Sequence, residues 1–193
     1  MKTTLIALRL FLVMTMLTGV LYPLAVTCIA QGFFNAKANG SILKGAQNQA
    51  LGSELLAQKF DSVIYFQSRP SACDYGTVAS GASNKGPTSA ALQKAVQERR
   101  SAFRTANGLA AGQAVPGDMA FASGSGLDPH ISPEAARMQV ARVAKARALN
   151  AAQTQALMQL VERAVESPQF GIFGQERVNV LKVNIALGQL SRQ

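Results

Sequence analysis

Ser125, Asp128 and His130 stand close together in the chain, and a hydroxyl, a carboxylate and an imidazole are the ingredients of acyl-transfer chemistry. A nucleophile elbow needs glycine two positions before the serine. Ser123 stands there, although Gly124 and Gly126 flank Ser125. Asp128 and His130 are two positions apart, which suits a turn in which the carboxylate bonds its own backbone better than a clamp on an imidazole. The turn reading is therefore preferred, and a membrane-anchored hydrolase using Ser125, His130 and Asp128 is kept as the alternative. His130 is the one histidine of the chain, so motifs that need two are excluded. With Asp128 alone it falls short of a metal ligand set. Two cysteines, Cys28 and Cys73, exclude a four-cysteine zinc site and a disulfide-rich scaffold. The stretch Gly81-Ala82-Ser83-Asn84-Lys85-Gly86 lacks the spacing of a phosphate loop, and no G-x-G-x-x-G occurs. The expectation is no catalytic residue, no metal site and no cofactor bound by a recognisable motif.

Two surfaces remain as candidates for partner contact or structural turns. One is the loop 123–133, with Ser123, Gly124, Gly126, Asp128 and His130. The other is Arg69 with the loop 80–86, carrying Ser80, Gly81 and Asn84. Further on, Arg137, Arg142, Lys145 and Arg147 fall at about 0, 140, 80 and 280 degrees around a helix, so they encircle it without forming a stripe. Most are expected on a solvated face, with one or two paired to acids or a partner.

These residues must be positioned by the elements around them. After Lys2 and Arg9, no charge occurs from Leu10 until Lys37. Residues 10–30 supply the roughly 20 apolar residues that a bilayer-crossing helix needs, with Pro23 bending the far end. A cleaved signal peptide is the rival, but the apolar core exceeds the usual length and Ala25-Val26-Thr27 is a poor cleavage match. The reading is a cytoplasmic tail over 1–9, a transmembrane helix over 10–30 and a periplasmic domain over 31–193, since the nearer basic cluster precedes the span. Within that domain Asn39-Gly40-Ser41 reads as a turn. Ile42-Leu43, Leu55-Leu56 and Val63-Ile64-Tyr65-Phe66 read as short strands, and 73–88 as loop. A helix follows from Pro87 or Thr88 to about Arg104, with Leu92, Val96, Arg99 and Phe103 on one stripe. Met119 to Phe121 reads as a short strand. Ser132-Pro133 opens a helix to about Leu149. Asn150 with Gln153 forms a capping box before the amphipathic run Leu157, Leu160, Val161, Ala164, Val165, which Pro168 ends. Val178 to Leu190 is a last helix. The fold class is α+β: one N-terminal transmembrane helix, then a compact mixed α/β extramembrane domain with C-terminal helices.

Composition agrees. Of 193 residues 48% are hydrophobic and 15% charged, against roughly 25% charged in soluble domains, so part of the chain avoids water and disorder is excluded. The net charge of +9 is diffuse and tryptophan is absent, which argues against nucleic-acid binding.

The order of segments resembles the C-subunit family of bacterial Kdp potassium-transporting ATPases. The landmarks are Tyr22-Pro23-Leu24, Ala38-Asn39-Gly40-Ser41, Tyr65-Phe66 with Arg69-Pro70-Ser71-Ala72, and Ala79-Ser80-Gly81-Ala82-Ser83-Asn84. The strongest runs from Ala122 through Ser123-Gly124-Ser125-Gly126-Leu127-Asp128-Pro129-His130-Ile131-Ser132-Pro133. Gln139, Arg142 to Arg147, Val178-Asn179-Val180-Leu181 and Asn184 follow. Departures are Phe34-Asn35 where the family often has Phe-Pro, Ala57 where glycine is common, and a variable loop at Cys73-Asp74-Tyr75. The resemblance implies an accessory, non-catalytic subunit of the high-affinity ATP-driven potassium uptake pump. Its partners would be a potassium-conducting A subunit, a P-type ATPase B subunit, a small F subunit and membrane lipid. ATP and potassium would be used by the whole complex, and this chain would stabilise it and act as a catalytic chaperone raising the B subunit's ATP affinity. Direct contact with nucleotide stays open. The same resemblance marks Gln139, Arg142 and Lys145 as a candidate functional helix.

Overall fold

The computed structural model describes residues 2–190. Residues 1 and 191–193, the ends of the expected tail and outer domain, lie outside the described residues. The chain divides into two compact units, Met1–Ser53 and Glu54–Gln193.

In the first unit one continuous helix runs over Lys2–Phe33. At 1.5 Å per residue it is longer than the roughly 30 Å hydrocarbon layer requires. It consists of α1 (Lys2–Met16), a π turn (Leu17–Leu21) and α2 (Tyr22–Phe33). The π turn answers Pro23. A proline has no N–H to give four residues back, and its ring collides with that carbonyl. Widening the preceding turn, so that the Tyr22 N–H donates five residues back to the Leu17 carbonyl, removes the collision. Thr18 and Thr27 donate their hydroxyls to the Met14 and Pro23 carbonyls (2.7 and 2.8 Å), so the helix shows few unpaired polar groups. None of the helix is buried against protein, unlike the core helix of a soluble domain. A short helix α3 (Asn35–Ala38) leads to the expected turn, where Gly40 (φ +84°) and Ser41 (φ +50°) are both left-handed. The antiparallel hairpin β1 (Ile42–Lys44) and β2 (Ala50–Ser53) closes the unit.

The second unit contains α4 (Ala90–Asn107), α5 (Gly117–Ala120), β3 (His130–Ile131), α6 (Pro133–Ala146), α7 (Ala151–Arg163), β4 (Val165–Glu166), β5 (Arg177–Asn179) and α8 (Val180–Leu190). Ser89 caps α4, Ser132 caps α6 ahead of Pro133, and Asn150 with Gln153 makes the capping box of α7. The three strands form an antiparallel sheet in the order β3-β5-β4. Ile131 and Val165 both pair with Val178 and share the core side of the sheet. They join Phe66, Phe103, Val140, Val143, Leu157, Val161, Val183 and Leu187 in the core. A fully buried leucine such as Leu157 or Leu187 contributes about 1.5–3 kcal/mol.

Three expected strands are absent. Leu55-Leu56 and Val63 to Phe66 lie in irregular chain, because side chains instead of a neighbouring strand satisfy the 63–67 backbone. Met119 lies in the one-turn helix α5, set by the Pro116-Gly117 bend, and only Phe121 is extended. The last helix begins at Val180 because Val178 and Asn179 belong to β5.

Candidate functional site

Loop 123–133 and the Arg69 segment come together in the second unit. Gly126 makes the junction possible. It is buried at φ +72°, and a Cβ there would stand 2.7 Å from the Cys73 Sγ, 3.1 Å from the Gly81 carbonyl and 3.2 Å from the Ser71 Oγ. Only glycine fits this approach. Gly124, by contrast, faces open space. The Arg69 guanidinium reaches Asp128 (Nη1 to Oδ2, 2.7 Å), while Tyr75 steadies the segment by donating its hydroxyl to the Arg69 carbonyl (2.7 Å). The other Asp128 oxygen accepts the His130 N–H (3.0 Å) and lies 3.3 Å from the ring Nδ1.

The sheet extends this line of polar contacts. His130 pairs with Asn179 and Glu166 with Arg177, so all four lie on the side of the sheet opposite Ile131 and Val178. His130 Nε2 stands 3.8 Å from Glu166, which also holds Arg177 (3.2 Å) and Lys182 (3.1 Å); Lys182 bonds Glu54 as well (3.0 Å). Burial opposes ionisation of Asp128, but hydrogen bonds from the His130 ring and backbone, together with the Arg69 charge, hold its carboxyl at about 2. Glu166 is lowered as well: burial again opposes, and Lys182, Arg177 and His130 outweigh it. A polar cleft of about 650 Å³, lined among others by Arg69, Asp118, Asp128, His130 and Arg177, opens beside the cluster.

The geometry does not assemble a hydrolase. Each ring nitrogen of His130 faces a carboxylate, and the Ser125 hydroxyl accepts the Leu127 N–H (3.1 Å). No hydrogen bond links Ser125 to His130 among the described residues. Ser123 likewise serves the loop, accepting the Asp128 N–H at 3.4 Å. Ser80 and Asn84 are exposed, Asn84 in the left-handed region at φ +52°.

The candidate helix residues separate into two kinds. Gln139 is fully buried and pairs with the Gln67 backbone, accepting its N–H (2.8 Å) and donating to its carbonyl (3.3 Å). Arg142 is buried as well, and Arg147 is half-buried, so of the four helix cations only Arg137 and Lys145 lie on the exposed face. Arg142 donates to Gln139, Asn107 and the carbonyls of Val63 and Tyr65. Burial lowers its guanidinium from the ordinary value, yet an arginine remains charged. From α8, Asn184 accepts the Phe66 N–H and donates to the Phe66 carbonyl (2.8 and 2.9 Å). Lys145 is exposed. Arg137 makes the expected acid pair, bidentate to Glu162 (2.6 and 2.8 Å).

Sequence reasoning missed Glu166, Arg177, Lys182 and Glu54. For Glu166 and Arg177 the signal is a two- or three-residue alternation in strands too short to recognise before their pairing is known, whereas Lys182 on α8 and Glu54 after β2 join the cluster only through the fold. Asp118, on α5, was missed because it meets the Ser132 N–H (2.6 Å) only through the fold.

The sequence matches the family described as "KdpC: K+-transporting ATPase, c chain" over residues 4–189. It is 49% identical over 181 residues to the potassium-transporting ATPase KdpC subunit of Cereibacter sphaeroides, covering 94% of each chain. It is 48% identical over 188 residues to that of Methylococcus capsulatus, covering 95% of this chain and 96% of the relative. With that of Rhodospirillum rubrum the identity is 49% over 185 residues, covering 95% and 93%.

Proposed function

The chain belongs to the KdpC family of K+-transporting ATPase c chains, and on that premise we propose that it stabilises the assembled pump and raises the affinity of the ATP-hydrolysing subunit for ATP. It is an accessory subunit of a potassium-transporting ATPase, not its catalytic unit, and a single-pass membrane protein of a transport complex. Its partners in this reading are the potassium-conducting A subunit, the P-type ATPase B subunit, the small F subunit and membrane lipid. Those subunits handle potassium and ATP. The span sits in the bacterial inner membrane, with residues 1–9 cytoplasmic, 10–30 crossing, and 31–193 periplasmic.

The observation that carries the reading is the continuous line of side chains Arg69-Asp128-His130-Glu166. It sets a carboxylate against each ring nitrogen of His130 and joins two otherwise irregular loops into one fixed surface. Such a surface suits recognition of a partner's shape. A subunit that binds one conformation of the pump better than another shifts the pump towards it, and nucleotide affinity changes with it although ATP lies across the membrane. Coupling of this kind is typically 5–150-fold in affinity, about 1–3 kcal/mol. ATP titration of pump activity with and without this subunit tests it. A fall of that order in half-saturating ATP is expected on adding the subunit. Unchanged half-saturation would sink the affinity role.

A further inference from the structure

The stretch 121–125 leaves part of its main chain open. Neither the N–H nor the carbonyl of Ala122 or of Gly124 has a hydrogen-bond partner among the described residues. The alternate residues are turned into the fold. The Ser123 carbonyl accepts the Gly126 N–H (3.3 Å) and the Ser123 hydroxyl accepts the Asp128 N–H (3.4 Å), while the Ser125 carbonyl accepts the Cys73 thiol (3.8 Å). Phe121, which enters the stretch, is extended at φ −109° and ψ 134°. Open and occupied main-chain groups alternating with period two are the pattern of a sheet edge, where residues two apart present N–H and carbonyl to the same side.

Gly124 carries a second sign. Its φ lies outside the left-handed region and a Cβ there would meet nothing within 4 Å, so the fold of this chain does not itself require glycine at that position. A bare backbone is needed where another backbone approaches closely.

The walls beside the open edge are apolar. Leu55 and Leu56, 57% and 37% exposed, line a cleft of about 670 Å³ together with Leu127 and the chain 122–125. The charged residues that line it, Arg69 and Asp128, are paired with each other at 2.7 Å, so the cleft suits a neutral occupant. Open main-chain donors and acceptors select polypeptide over lipid. A hydrocarbon phase cannot bond them, whereas another main chain offers the matching groups at the matching spacing.

We propose that residues 122–124 take up an extended, uncharged segment of another subunit as an added strand, with an apolar side chain of that segment seated on Leu55 and Leu56. The inference rests on the reading of this chain as an accessory subunit, and it does not need the role in nucleotide affinity.

Hydrogen exchange, read by mass spectrometry with fragmentation to single residues, tests the pairing. In the full chain alone in detergent, the Ala122 and Gly124 amides should exchange as freely as those of an unstructured chain. In the co-purified pump both should exchange at least about tenfold more slowly. Unchanged exchange at the two positions in an intact pump overturns the added strand and leaves the accessory reading standing. Failure of any other subunit to co-purify overturns both. A diazirine analogue of leucine at position 56 identifies what covers the cleft. Attachment to an uncharged stretch of another subunit is expected. Attachment to lipid, to a charged stretch or to a second copy of this chain overturns the proposal.

Discussion

Asp128 links three groups that the chain brings from different places: the Arg69 guanidinium, the His130 backbone and the His130 ring. Its folded carboxyl sits near 2, below the ordinary 3.8. A depressed carboxyl stabilises the fold above the ordinary value and loses that contribution as pH falls through the folded one. The window therefore runs from about pH 4 down to about 2. Asp128→Asn should lower the unfolding free energy by about 1.5–3 kcal/mol near neutral pH, the range for hydrogen bonds to a charged group. Urea unfolding of the full chain in detergent, followed by circular dichroism, should show that deficit shrinking across the window as wild-type Asp128 protonates. A deficit that persists unchanged at pH 2 would mean that the charge is not its source. Candidacy of Asp128 and His130 was legible from their spacing. Arg69 as the partner was not, because 59 residues separate it from Asp128.

Helix α6 does the work of a missing strand. The segment 63–67 passes the core without sheet partners, and its carbonyls and N–H groups are met by Gln139 and Arg142 from α6 and by Asn184 from α8. Arg147 adds a bond to the Ile64 carbonyl (2.7 Å) and lies 5.2 Å from the centre of the Tyr65 ring. Truncating Arg142 would leave the buried Asn107 Oδ1 unpaired, at about 1–3 kcal/mol for such a group, and would remove donors from Gln139 and from the half-buried contacts at Val63 and Tyr65. Arg142→Ala should therefore cost at least about 2 kcal/mol in urea unfolding, while Lys145→Ala on the exposed side should stay within about 0.5 kcal/mol. Equal costs for the two would refute this division of the helix. The caps and apolar stripes of α6 and α7 were readable because they depend on neighbours three or four residues away. The burial of Arg142 was not, since a cation on a helix reads as solvated until a distant carbonyl is brought to it.

For the molecule as a whole, orientation decides which compartment sees the cluster around Asp128 and Glu166. The proposed arrangement puts the second unit outside. With Cys28 and Cys73, both free thiols, replaced by serine, Val78→Cys supplies one fully exposed thiol. An impermeant maleimide should label it in intact spheroplasts. Protection until the membrane is opened would reverse the topology and place the cluster beside cytoplasmic ATP.

The sequence by itself determined the apolar span, the caps of α6 and α7, the α+β class and the family, because each depends on local periodicity or on short ordered motifs. It also held the Pro23 signal, although the response took the form of a π turn. Only the tertiary structure decided that loops around Arg69 and Asp128 meet at Gly126, that Glu166 stands on the far side of the His130 ring, and that Arg142 is internal. Those contacts join residues dozens of positions apart. Their pairing follows from how the helices and the short sheet pack, which no local pattern encodes.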